Sequence, residues 1–154
     1  MSTDAEVLAL VRERFAVPRP EHFTDYTHCC ECEEHDATLK ARDLETITMD
    51  EVGSPGWDQI TFCTPQAFAY WMPALARLTL DQPHDYWGWY GDGLLNQVER
   101  DGPRNERWLA CTPAQRQAVV ALLEHIFTTR AALIEDYDLL HRLTRVVEMW
   151  SDEG

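Results

Sequence analysis

The chain has 154 residues, 45% of them hydrophobic and 10% aromatic, with 13 basic and 27 acidic side chains and a formal charge of −14. One domain of this size buries a core without disulfides, and the composition is that of a globular protein rather than a disordered one. The acidic surplus excludes the basic footprint that nucleic acid or an anionic membrane surface requires, and favours cations and basic protein partners.

The opening residues, Met1-Ser2-Thr3-Asp4-Ala5-Glu6, lack the basic segment and apolar run of a signal peptide. The longest apolar run, Ala118 to Leu123, is too short to cross a bilayer. A cytoplasmic location is expected, where thiols stay reduced and clustered cysteines suggest metal or redox chemistry rather than disulfides. Thr3 and Glu6 form a T-x-x-E capping box, and Val7, Leu8, Val11 and Phe15 follow at helical spacing. This predicts a first helix over residues 4–16, stopped by Pro18 and Pro20. Residues 17–27 read as loop.

The stretch Tyr26-Thr27-His28-Cys29-Cys30-Glu31-Cys32-Glu33-Glu34-His35-Asp36 is the least generic part of the chain. Three of the five cysteines and two of the six histidines fall within eight residues. Thiolate and imidazole are preferred ligands of tetrahedral zinc, and Cys29-x-x-Cys32 has a common ligand spacing. His28, Cys29, Cys32 and His35 are therefore the candidate metal ligands, with Cys63, His22 and His84 as alternatives for the fourth place. On a helix, about 100° per residue puts His28, Cys32 and His35 on one face, with Cys29 one step round. In a tight turn, Cys29 and Cys32 form a knuckle. Either geometry leaves Cys30 a bystander.

Glu31, Glu33, Glu34 and Asp36 raise the local negative potential, which holds thiol pKa values up and disfavours a redox or nucleophilic cysteine. A coordinated cation reverses this by deprotonating the thiols itself. A thioredoxin-like reading also wants a βαβ context that the pattern lacks. The bland alternative is reduced thiols with no ligand at all. There is no HExxH, and no H-x-E paired with P-C-x-x-C. Four candidate ligands in so short a segment describe a closed structural site rather than a catalytic one with an open position.

Beyond the cluster, residues 36–44 suit a short helix and residues 50–57 a turn, marked by Gly53-Ser54-Pro55-Gly56. Gln59-Ile60-Thr61-Phe62-Cys63 reads as one short strand without an evident partner. Thr64-Pro65 starts a helix, with Thr as N-cap and Pro at the first position, and Pro73 inside it predicts a kink. Residues 81–93 form an aromatic loop with Tyr86, Trp87, Trp89 and Tyr90, expected to serve core packing more than partner anchoring. Residues 94–99 make a helical turn or two, ended by Asp101-Gly102-Pro103. Thr112-Pro113 with Gln115 repeats the start signal, and Val119, Leu122, Leu123, Ile126 and Phe127 complete an amphipathic stripe. Leu139, Leu140, Leu143, Val147 and Trp150 continue at the same period, with Glu135 to Asp138 as a candidate break. Asp138-x-x-His141 is one copy of a pair that carboxylate-bridged metal bundles use twice, so it reads as a solvated face. No G-x-S-x-G, P-loop or dinucleotide fingerprint is present.

Two stretches resemble an uncharacterised bacterial family, a domain of unknown function. One runs from Pro18-Arg19-Pro20-Glu21-His22-Phe23 through His28-Cys29 to Cys32 and His35-Asp36. The other is Pro55-Gly56-Trp57-Asp58, then Thr64-Pro65, Phe68, Tyr70 and Pro73-Ala74-Leu75. The resemblance implies a small helical bacterial protein and supplies no catalytic residue.

The expected fold is mainly α: a small helical bundle, one domain over residues 1–154, with residues 17–57 loop-rich around an irregular Cys/His segment. Residues 113–150 form a C-terminal helical pair packed on the first helix and on the helix after Thr64. The expected function is non-enzymatic metal binding, with a structural zinc clipping a loop that the core does not fix. An acidic inhibitor or immunity-like protein for a basic partner is the alternative, and a zinc-dependent hydrolase the third reading.

Overall fold

The computed structural model describes residues 2–152. Most of its helices begin where a side chain satisfies an orphan N–H group of the first turn; those starting at Gly91, Ala131 and Leu140 have no side-chain cap. Thr3 caps α1 (Asp4–Arg14): its hydroxyl accepts from Glu6 N at 3.1 Å, and the Glu6 carboxylate accepts from Thr3 N at 3.2 Å. α2 spans Cys30–Lys40, and α3 (Met49–Val52) carries a second box between Thr48 and Glu51. A 3-10 turn covers Gln59–Phe62. Thr64 caps α4 (Pro65–Leu80), which runs on through Pro73. α5 (Gly91–Glu99) and α6 (Glu106–Ala110) precede α7 (Pro113–Thr129), which opens on the Thr112–Gln115 box. α8 (Ala131–Asp136) and α9 (Leu140–Ser151) complete the chain.

The chain is mainly helical, and among the described residues its only extended pairings are isolated bridges, Thr24–Cys63 and His84–Gly88. α7 sits at the centre, against α1 and α9, while α4 packs on α1 and α6. Val7, Val11, Phe68, Trp71, Met72, Leu75, Val119, Leu122, Leu123 and Trp150 fill the space between them. Polar ties fix the register. Gln115 Nε2 donates to Arg14 O at 3.2 Å, and Trp150 Nε1 donates to Val98 O at 2.9 Å. Asp4 receives Arg130 through both oxygens, at 2.7 and 2.8 Å, and lies 2.7 Å from His125 Nε2. Those hydrogen bonds hold the Asp4 carboxyl well below the usual carboxylate range.

Several sequence expectations change. The stretch after Asp58 is a 3-10 turn, not a strand; only the single Thr24–Cys63 bridge pairs with it. The C-terminal pair is three helices, because the chain breaks at Arg130 and again at Asp138, whose φ of 53° is left-handed. In the aromatic loop the expected core packing holds for Trp89 and Tyr90, which are buried, while Tyr86 is exposed. Gly88 is obligatory there: its φ is 77°, and a Cβ would lie 2.3 Å from the Tyr137 hydroxyl.

Candidate metal centre

The segment before α2 is held by one buried side chain. Asp36, on the inner face of α2, accepts from Phe23 N at 2.6 Å and Thr24 N at 3.3 Å through Oδ1. Its Oδ2 lies 2.8 Å from His22 Nδ1 and 3.4 Å from Lys40 Nζ. Burial pushes this carboxyl's pKa up, but the His22 ring, the two N–H groups and the Lys40 ammonium outweigh it, and the net direction is down. Phe23 is driven into the core beside Trp71, and Thr24 Oγ1 donates to Cys32 O at 2.6 Å. The turn continues with His28 N donating to Asp25 O at 3.0 Å. The chain therefore enters α2 along a fixed path, and that path decides which side chains meet.

Cys29 is the N-cap of α2, in extended conformation, and its sulfur accepts from Cys32 N at 3.4 Å. Cysteine replaces the usual Ser, Thr, Asp or Asn in that role. The Cys29 and Cys32 sulfurs are 3.4 Å apart, and His28 Nδ1 is 3.8 Å from Cys32 Sγ. One ligand atom from each of His28, Cys29 and Cys32 lies within 4.8 Å of the other two. The Cys32 N–H, the His28 ring and the Cys32 thiol together bring the Cys29 thiol down to about 7. The hydrogen bond from Cys29 pushes the Cys32 thiol up, and the contact with Cys29 pushes His28 up. The sequence-level expectation that neighbouring carboxylates hold both thiols up is therefore reversed at Cys29. The helix N-terminus and an imidazole outweigh the glutamates at its sulfur.

His35 is not part of this cluster. It is fully buried, its Nδ1 is hydrogen-bonded to Gln59 Oε1, and its ring stacks on Phe62 at 3.8 Å and packs against Trp57 at 4.7 Å. The reason is where the helix begins. A shared face for His28, Cys32 and His35 needs helix through His28, but α2 starts at Cys30, and His28 reaches Cys32 from the preceding turn. His35, Asp36 and Leu39 are the buried face of α2 instead. Among the alternatives for a fourth ligand, His22 is engaged by Asp36, and His84 Nδ1 accepts from Tyr86 N and Trp87 N at 3.0 Å each. Cys63 lines, with His28 and Cys32, a cleft of about 310 Å³. Burial pushes the Cys63 thiol up to about 12. Cys30 is exposed and outside the cluster.

Arg100, Arg107 and Asp25 also line this cleft. Arg107 is buried, donates to Gln97 Oε1, Gln97 O and Ile60 O at 2.8, 3.0 and 2.7 Å, and lies over Phe68 at 4.7 Å. Gln97 Nε2 in turn donates to Asp58 Oδ2 at 3.0 Å, beside the Tyr90 hydroxyl at 2.9 Å. Asp58 Oδ1 caps the 3-10 turn by accepting from Ile60 N at 2.9 Å. Asp58, Tyr90 and Gln97 line a second cavity of about 280 Å³ together with Trp87, while Arg107 lines the metal-side cleft, so the network links the two linings. Local pattern does not reveal it, because Gln97 and Arg107 come from helices far along the chain; the one local signal is Asp58 as an N-cap.

Burial pushes the Asp58 carboxyl up to about 6, against the pull of the Ile60 N–H, Tyr90 and Gln97. The folded protein therefore favours the protonated form. The contribution of this group is complete below an unfolded-state pKa of about 3.9 and is lost as pH rises through about 6, a change of up to about 3 kcal/mol. The amide introduced by Asp58→Asn cannot titrate. The stability gap between wild type and Asp58→Asn is thus expected to shrink by that order between pH 4 and pH 8 in urea denaturation. A gap independent of pH rejects the buried carboxyl.

Among the described residues, no helix is long and apolar enough to cross a membrane. Comparison with curated proteins and with solved structures gives no match. A family description does match, over residues 3–153, almost the whole chain, in line with the resemblance seen in the sequence. The chain belongs to the family of unknown function DUF6714.

Proposed function

We propose that the chain is a metal-binding protein that holds one zinc ion through His28 Nδ1, Cys29 Sγ and Cys32 Sγ. The observation that carries the reading is the spacing of the three ligand atoms. Tetrahedral zinc with bonds of about 2.3 Å to sulfur and 2.0–2.1 Å to nitrogen needs ligand atoms about 3.5–3.8 Å apart. The separations of 3.4 Å (Cys29 to Cys32) and 3.8 Å (Cys32 to His28) need only small side-chain rotations to reach that geometry. Two thiolates and an imidazole are also the donor set that zinc favours over magnesium or calcium.

The role differs from a clip that holds a loop. Asp36 already fixes the loop through Phe23 and Thr24. With three protein ligands, a fourth position remains for water or an exchangeable ligand; Asp25 and Arg100 line the same cleft as His28 and Cys32. Binding removes the Cys32 proton, so affinity rises with pH.

Metal analysis of protein purified without added metal tests this. About one zinc per chain is expected in the wild type and in Cys30→Ser, and affinity is expected to fall by at least about 100-fold in Cys29→Ser or Cys32→Ser, with the fold retained. Absence of stoichiometric metal after zinc reconstitution of the reduced protein rejects the reading.

A further inference from the structure

Cys29 and Cys32 are arranged for a second chemistry. Their sulfurs, 3.4 Å apart, need to close by about 1.4 Å to form a disulfide of about 2.05 Å. Closure loosens the contacts of these sulfurs with Cys32 N and His28 Nδ1, and little else resists it. Cys29 precedes the helix, so its side chain is free of the helical turn that restricts Cys32. The backbone below is anchored, with Thr24 Oγ1 on Cys32 O and Asp36 on the Phe23 and Thr24 amides, so closure is a side-chain rotation and not a loop rearrangement. The two sulfurs also differ in access. Cys29 is exposed, and Cys32 is half-buried. An incoming reagent meets Cys29 first, and Cys32 is placed to attack the product.

We propose that Cys29 and Cys32 form a dithiol that exchanges with small disulfides, Cys29 attacking and Cys32 resolving. In the first step the Cys29 thiolate attacks one sulfur of a disulfide R–S–S–R. The Cys29–S–SR bond forms, the R–S–S–R bond breaks, and RS⁻ leaves. In the second, the Cys32 sulfur attacks Cys29 Sγ, the Cys29–Cys32 bond forms, and the second RS⁻ departs with the proton that Cys32 gives up. Two electrons pass from the protein to the reagent, which ends as one thiolate and one thiol; the thiolate takes its proton from solvent. Where zinc is held as proposed above, both thiolate ligands are consumed and the ion is released; that clause alone rests on the metal reading.

The charge around the pair selects the reagent class. Asp25 and Glu31 act on the Cys32 sulfur, and Glu33 and Glu34 follow in α2; Arg100 and Arg107, which line the same cleft, are the cationic groups these four carboxylates outnumber. The whole chain carries −14. An anionic disulfide such as glutathione disulfide is repelled, and a cationic one such as cystamine is attracted. Thus the site takes cationic or neutral disulfides.

The test is intact mass and thiol alkylation after exposure to cystamine, hydroxyethyl disulfide or glutathione disulfide, on apo and zinc-loaded protein. Apo wild type and Cys30→Ser are expected to lose two alkylatable thiols with no added mass, reversibly with dithiothreitol. Cys32→Ser is expected to stop with the reagent attached at Cys29. Cys29→Ser is expected to react at least about tenfold more slowly and to form no internal bond. Cystamine should outpace glutathione disulfide by about tenfold at low salt, with the ratio falling as salt rises. The proposal is overturned if the internal bond involves Cys30, if Cys29→Ser keeps the wild-type rate, or if glutathione disulfide reacts fastest. A zinc indicator separates the two readings. Exchange in the apo protein with no zinc bound at any concentration sinks the metal reading alone. Stoichiometric zinc with no internal disulfide from any of the three reagents sinks the exchange alone.

Discussion

Asp36→Ala is expected to lower stability by about 3–5 kcal/mol, among the largest effects of any single polar change in the chain. Two backbone N–H groups, Phe23 N and Thr24 N, lose their carboxylate acceptor, and both residues are buried. Each orphaned buried donor costs about 1–3 kcal/mol. The Lys40 pair and the His22 contact are lost as well, though Lys40 is half-exposed and contributes little. In a chain of this length the change lowers Tm by roughly 10 °C. The effect has a pH signature. Because the carboxyl is held below its ordinary range, its contribution is present above an unfolded-state pKa of about 3.9 and is lost as pH falls through the lower folded value. Urea denaturation at pH 7 and pH 3 measures both parts. A loss below about 1 kcal/mol at pH 7 shows that the loop is held by something other than Asp36. Zinc affinity is expected to fall with the same substitution even where the protein remains folded, because His28 is positioned by the turn that Asp36 anchors.

His35→Ala is expected to separate fold from metal. The ring is 0% exposed and sits between Phe62 and Trp57. Truncating it leaves a cavity and strips Gln59 Oε1 of its partner, for a loss of about 2–4 kcal/mol. Zinc stoichiometry and affinity are expected to stay within about threefold of wild type, since His35 lies outside the ligand cluster. Folded His35→Ala protein without zinc restores His35 to the ligand set and removes the open fourth position.

Helix starts were legible where the signal is local. The boxes at Thr3–Glu6 and Thr112–Gln115 and the Thr64-Pro65 cap all stand where the sequence places them. The same chemistry at Thr48–Glu51 starts a helix that the neighbouring Gly and Pro residues obscured. The helix expected from Asp36 begins earlier, at Cys30, since Cys29 is an unusual cap and Glu31, Glu33 and Glu34 read as surface charge rather than a first turn. The strand expected over residues 59–63 failed for a different reason. β-branched and aromatic residues suit an extended chain, but Asp58 caps a 3-10 turn there, and only one bridge pairs with it.

The sequence by itself determined the helical class, the principal caps and the presence of a dense Cys/His segment, because capping and periodicity act over three or four residues and are complete within a short window. Only the tertiary structure decided which of those side chains meet. Asp36 reaches back to Phe23 and Thr24, turning His28 toward Cys32, while the inner face of α2 draws His35 onto Gln59 and Phe62. A ligand set depends on direction as well as spacing, and direction comes from contacts between segments that no local pattern records.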